Sequence, residues 1–168
     1  MAGFFQSSGS GRLRVMEFRA SGSFPVPAGL KTVSLFLVGG GGASNAQTYA
    51  GQGGNIVKIN YDVTGKASCV VVIGAGGTNG GDGGSTTFDG AVVAVGGKGN
   101  VGITNPMSIA DGGEDGFGGH GIGYASTAAF ITANGGAMNA AAGANSGGGG
   151  GGATGTGGSG YLRVEWYE

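Results

Sequence analysis

Apolar and polar residues alternate in several short windows, and a period of two marks a strand with one buried face. Val15 to Ala20 sets Met16, Phe18 and Ala20 on one side. Thr32 to Val38 sets Val33, Leu35 and Leu37 on one side and adds Phe36 and Val38 on the other, which predicts a central strand. Asn55 to Val63 alternates Val57, Ile59, Tyr61 and Val63 against Lys58, Asn60 and Asp62. Gly65-Lys66 marks a turn, and Ser68 to Ile73 returns nearly all apolar. Thr86-Thr87-Phe88 and Ala91 to Val95 flank Asp89-Gly90, a pair suited to the positive φ angles of a type I′ hairpin. Tyr161 to Tyr167 alternates Leu162, Val164 and Trp166 with Arg163 and Glu165. No window carries a capped amphipathic helix. The pattern predicts an all-β fold with Phe88 and Trp166 in its core.

The final strand follows a long glycine-rich stretch, so the chain must return to the sheet it left. Residues 15–168 therefore read as a single domain whose strand base is 15–38, 55–73, 86–95 and 161–167. The glycine-rich loop region is 39–54 and 96–160, and residues 1–14 read as an N-terminal arm or attachment segment.

Glycine changes the picture most. Of 45 glycines, 40 lie between residues 39 and 160. Glycine this dense usually makes a flexible linker, because glycine loses the most backbone entropy on ordering. Single apolar residues interrupt these runs, however: Ile103, Ile109, Phe117, Ile122, Tyr124, Phe130 and Ile131. The glycines keep no strict period of three across the region (Gly39–Gly42, then Gly51, Gly53 and Gly54), which excludes collagen. The ordered alternative is a packed set of extended, polyproline-II-like segments joined by non-glycine bends, whose bare backbones hydrogen-bond sideways.

Charge is scarce: 8 Lys+Arg against 9 Asp+Glu, a net charge of −1. With no basic patch and no Lys or Arg between Lys98 and Arg163, nucleic acid is not an expected partner. Cys69 has no second cysteine to pair with and reads as a buried hydrophobe. The N-terminus lacks a signal-peptide apolar run, and no apolar stretch reaches the ~20 residues of a membrane helix, so membrane insertion is not expected.

Catalytic chemistry is poorly supplied, and the expectation is a protein that is not an enzyme and takes no cofactor. His120, the only histidine, sits in Gly118-Gly119-His120-Gly121 and reads as a loop residue. Gly147-x-Gly149-x-x-Gly152 matches a dinucleotide fingerprint only because a glycine run matches any glycine motif; no helix or distant acidic residue accompanies it. Asp111-Gly112-Gly113-Glu114-Asp115 fits no calcium-loop pattern and reads as a solvated turn, so no metal is expected.

Phe24-Pro25-Val26-Pro27-Ala28-Gly29-Leu30, then Val33 to Gly42, resembles the opening of the glycine-rich receptor-binding domain of bacteriophage tail-fibre and tail-tip proteins. The resemblance continues through Gly53-Gly54, Val72 to Gly77, Gly83 to Phe88, Ala94 to Gly99, Gly147–Gly152 and Tyr161 to Trp166, covering residues 15–168. It implies a β-sandwich-like base with long glycine-rich loops, packed in some adhesins as polyglycine-II helices. It also implies a virion protein made in the host cytoplasm, whose bends contact a bacterial surface receptor, either a glycan or an outer-membrane protein. Few residues precede the domain, so attachment to another fibre or tail protein through the arm is expected. Fibre tips of this kind, together with exposed strand edges, point to a homotrimer.

Aromatic platforms with a few hydrogen-bonding side chains grip such receptors. The candidate contacts are Asn45, Gln47, Tyr49, Asn105, Met107, Tyr124, Phe130, Asn134, Asn139 and Asn145. Two other readings fit the same residues. One is a structural virion component, such as a connector, collar or decoration protein; the other is a glycine-rich ice-binding or extracellular scaffold protein.

Overall fold

A computed structural model describes residues 11–45, 49–102, 141–150 and 155–168. These residues hold no helix and ten strands: β1 (Leu13–Phe18), β2 (Gly22–Pro25), β3 (Thr32–Val38), β4 (Tyr49–Ala50), β5 (Ile56–Asp62), β6 (Ser68–Val72), β7 (Thr86–Phe88), β8 (Val92–Ala94), β9 (Val101–Gly102) and β10 (Tyr161–Tyr167). Two antiparallel four-stranded sheets carry the core, ordered β1-β10-β3-β5 and β2-β6-β7-β8; β4 and β9 form a separate pair. The all-β expectation is met. The last strand does return, sliding between β1 and β3, and β3 is central as its two apolar faces require.

The alternation becomes a core between the sheets. Val33, Leu35 and Leu37 of β3 and Leu162, Val164 and Trp166 of β10 meet Phe24, Cys69, Val71, Phe88 and Ala94. Phe24 lies edge-on to Trp166 with ring centroids 5.3 Å apart, and Tyr61 stands edge-on to Phe88 at 5.5 Å. Cys69 is fully buried, and burial pushes its thiol pKa up. Asp89 (φ 55) and Gly90 (φ 67) form the type I′ turn, closed by the Ala91 N–H donating to the Phe88 carbonyl.

Three details depart from the sequence reading. β2 goes unpredicted because only Phe24 of its four residues points inward. β6 reads as nearly all apolar, yet only Cys69 and Val71 are buried, leaving Val70 and Val72 facing out. β1 begins at Leu13, and Arg12 exchanges two backbone hydrogen bonds with Glu168, so residues 12–14 belong to the sheet and not to the arm.

Beyond one end of the sandwich the strands run on into glycine. Residues 39–44 extend β3, and their N–H groups donate in rotation to three neighbours. Gly39 and Gly42 donate to Asn55 and Gln52, Gly40 and Ala43 to Gly84 and Gly81, and Gly41 and Ser44 to Gly158 and Gly155. Their carbonyls accept from three more segments, at Gly97 and Asn100, Gly77, and Gly150. All ten bonds measure 2.7–2.9 Å. Donation that repeats every third residue is the geometry of a three-residue-per-turn helix, so segment 39–44 is the axis of a polyglycine-II bundle.

The six neighbours close a ring around it: 51–55, 95–100, 81–85, 74–78, 155–160 and 147–150. Each adjacent pair is bonded, through Gln52 to Lys98, Gly83 to Gly97, Gly84 to Ala75, Gly157 to Gly77, Gly158 to Gly148, and Gly51 to Gly150. Five ring segments carry side chains three residues apart with two residues between: Gln52 and Asn55, Val95 and Lys98, Asp82 and Ser85, Ala75 and Thr78, Thr156 and Ser159. None of these ten is buried. The missing long-range period of three thus conceals a local X-Gly-Gly-X one, in which the outward-facing position of each turn keeps its side chain.

Glycine is required here by proximity. A Cβ built on Gly41 would overlap the Gly148 carbonyl, one on Gly149 the Gly51 carbonyl, and one on Gly97 the Gln52 carbonyl. Among the described block glycines only Gly80 and Gly147 have positive φ. Most of the others, including Gly39 to Gly42, Gly96, Gly97 and Gly157, adopt angles open to any residue and are glycine because the next backbone occupies the Cβ position.

Candidate functional site

The register of the bundle defines two ends. Gly39, Asn55, Val95, Gly84, Gly74, Gly160 and Gly147 adjoin the sandwich, whereas Ser44, Thr78, Gly81, Asn100, Gly150 and Gly155 lie at the far end. At a rise of ~3.1 Å per residue, residues 39–44 span about 15 Å between them.

Three asparagines gather at the far end. Asn45 follows the axial segment, Asn79 turns the chain between two ring segments, and Asn100 ends a third. Asn79 (φ 52) and Asn100 (φ 48) adopt the left-handed conformation, which asparagine tolerates better than other residues with a Cβ. The Asn45 N–H donates to Asn100 Oδ1 at 3.0 Å, and Asn45 Nδ2 donates to the Asn79 carbonyl at 3.4 Å. Asn45 and Asn79 are exposed and Asn100 half-buried. Beside them Lys98 Nζ bonds Asp82 Oδ2 at 2.6 Å and the Gly99 N–H donates to Asp82 Oδ1 at 2.8 Å. The ammonium, helped by that N–H, holds the Asp82 carboxyl below its ordinary pKa. The result is a polar rim of carboxamides and one ion pair on a rigid backbone support. It offers hydrogen-bond donors and acceptors; among the described residues no group of His, Cys, Asp or Glu could hold a metal.

The β4–β9 pair lies at this end too, leading from the axial segment and from Asn100 respectively. Residues 45, 49, 102, 141, 150 and 155, which flank the three internal segments outside the described residues, are all tied to the far end. Asn45 and Asn100 bond each other, Tyr49 pairs with Gly102, the Ala142 N–H donates to the Thr156 carbonyl, and Gly150 and Gly155 bond Gly42 and Ser44.

Of the sequence-derived candidates, Asn45 stands on the rim and Tyr49 is the first residue of β4. Gln47, Asn105, Met107, Tyr124, Phe130, Asn134 and Asn139 lie outside the described residues, as do His120 and the Asp111–Asp115 turn. Asn145 sits at the other end of the bundle. There its φ is 56, its N–H donates to Ser159 Oγ at 3.0 Å, and its Oδ1 accepts from the same hydroxyl at 3.3 Å. Asn79 and Asn100 were not among the candidates. The signal for both was local: Asn79-Gly80 is a turn dipeptide, and Asn100 follows Gly99 where a ring segment ends.

Comparison with models of known protein families finds no match, and comparison with curated proteins finds none either. No helix among the described residues is long and apolar enough to cross a membrane.

Proposed function

We propose that this protein is a receptor-binding tip of a bacteriophage tail fibre, which adsorbs to a bacterial surface glycan or outer-membrane protein and performs no catalysis. The observation that carries this reading is the polarity of the molecule. Gly11 and Glu168 lie together at the end of the sandwich remote from the glycine bundle, with the Arg12 N–H donating to the Glu168 carbonyl at 2.7 Å. The segments with the candidate aromatic and polar side chains depart from the opposite end. Candidate contact chemistry gathered at the far end of the glycine block, away from the sandwich, suits an adsorption tip. The order of glycine runs and strands, which resembles that of tail-fibre tip domains, supports the same reading.

Purified protein is expected to bind susceptible bacteria saturably, to bind receptor-deficient mutants of the same strain weakly, and to compete with phage for adsorption. Tyr124→Ala and Phe130→Ala are expected to weaken that binding with no change in melting temperature, since an interface aromatic can carry ~2 kcal/mol or more. Equal, unsaturable binding to wild-type and receptor-deficient cells would remove the proposal. It would favour the connector reading, in which the rigid bundle is a spacer.

A further inference from the structure

Among the described residues the outer edge of β1 is an open template. Arg12 and Glu168 exchange both backbone hydrogen bonds, and hydrogen-bonded pairs alternate along an antiparallel ladder, so Arg12, Arg14, Met16 and Phe18 turn their N–H and C=O groups towards β10. Leu13, Val15 and Glu17 therefore turn theirs outward, and no described residue bonds to them. Their side chains face away from the core as well. Leu13 is 47% exposed, Val15 50%, and Tyr167, which is directly opposite Leu13 on β10, 69%. Among the described residues an unpaired edge and an apolar strip thus coincide on one six-residue strand.

The other edges are blunted. β2 has four residues and ends in Pro25, and β8 has three. On β5 the bonds from Val63 to Lys31 and from Gly39 to Asn55 fix the same alternation, and the outward-turned positions include Lys58, Asn60 and Asp62. Charged side chains at an edge discourage further pairing.

We infer that β1 is an assembly edge whose occupant is β1 of a second copy, paired antiparallel about a two-fold axis through Val15. Centred there, the three outward residues of each strand meet the three of the other: Val15 faces Val15, and Leu13 of each copy faces Glu17 of the other. Two such strands form six backbone hydrogen bonds and set both Leu13–Val15–Tyr167 strips on one face of a continuous eight-stranded sheet. Glu17 brings no uncompensated charge, because Arg19 Nη2 lies 3.4 Å from its carboxylate and Arg163 stands opposite it on β10. The edge is therefore complementary to itself, and an isologous contact closes at two copies. β1 runs along the side of the sandwich from the remote end at Leu13 to the bundle end at Phe18, so the antiparallel pair points its two bundles in opposite directions and leaves both far ends free. The inference stands independently of what the far end binds.

The test is solution mass by light scattering on the full chain, for the wild type and two double variants. The wild type is expected at twice its 15.9 kDa chain mass. Leu13→Lys/Val15→Lys, at two exposed positions, is expected to melt like the wild type and to run at the single-chain mass at the same concentration. Val70→Lys/Val93→Lys alters two of the exposed valines of the other sheet and is expected to stay dimeric. A wild type that is monomeric or trimeric, a dimer that survives the β1 substitutions, or one lost with the Val70/Val93 pair, would each overturn the inference. Should the β1 variant melt early, Val15→Lys alone decides under the same criteria.

Discussion

At position 41 the difference between glycine and alanine is one methyl group, and the structure has no room for it, because the Gly148 carbonyl fills that space. Gly41→Ala is expected to lower stability by about 1–3 kcal/mol through overpacking, measurable as a shift in denaturant midpoint. Gly149→Val, which meets the Gly51 carbonyl, is expected to cost at least as much. Gln52→Ala, on the outward face of a ring segment, is expected to be silent. Were Gly41→Ala silent too, the bundle would be a loose tract and not a packed one. The sequence announces the excess of glycine plainly, but it does not say which glycines face a neighbour; that depends on segments more than 100 residues apart, such as Gly41 with Gly148 and Gly158.

Among the elements, the two sheets are tied at the end away from the bundle by one polar cluster. Tyr61 on β5 donates its hydroxyl to Asp89 Oδ2 at 2.9 Å in the β7–β8 turn, and Lys66 Nζ in the β5–β6 turn reaches the same oxygen at 2.7 Å. Lys66, and less strongly the Tyr61 hydroxyl, hold the Asp89 carboxyl below its ordinary pKa. A depressed carboxyl pKa means stability that is present above the unfolded value of ~3.9 and lost as pH falls through the folded value. The chain is expected to lose part of its stability below about pH 4. Asp89→Asn, which keeps the left-handed turn residue, is expected to cost about 1 kcal/mol near neutral pH and to flatten that acid limb. Melting temperatures from pH 3 to 7 on both proteins decide it; parallel curves would mean the cluster contributes nothing. The hairpin at Asp89-Gly90 was legible in sequence because turn chemistry is local. The link from Tyr61 to Asp89 was not, since it needs the sheets to be stacked first.

For the whole molecule, pattern alone yields the class and the closing of the domain by its last strand, because both follow from period-two alternation and from where that alternation resumes. It does not yield the rim. Asn45, Asn79 and Asn100 are 34 and 21 residues apart in sequence and meet only because three extended segments end at one level of the bundle. If that rim takes part in receptor contact, Asn79→Gly, which keeps the left-handed turn, and Asn45→Ala together are expected to reduce cell adsorption severalfold. Melting should shift little, since neither side chain is buried. Unchanged adsorption by the double variant would confine recognition to the segments that leave the rim.

The placement of β10 also sets a timetable. The strand is made last of the ten, yet it belongs between β1 and β3, and the residues that lead into it supply one wall of the ring around Gly39–Ser44. Until residues 155–167 have been synthesised, sheet one lacks its second strand and the axial glycines lack acceptors for Gly41 and Ser44. A growing chain emerging from the ribosome therefore cannot complete its first sheet or its glycine bundle until β10 is out. Folding must then proceed through contacts of long sequence separation, which makes it slow. The described fold closes in one late step, with its first and last strands locked together.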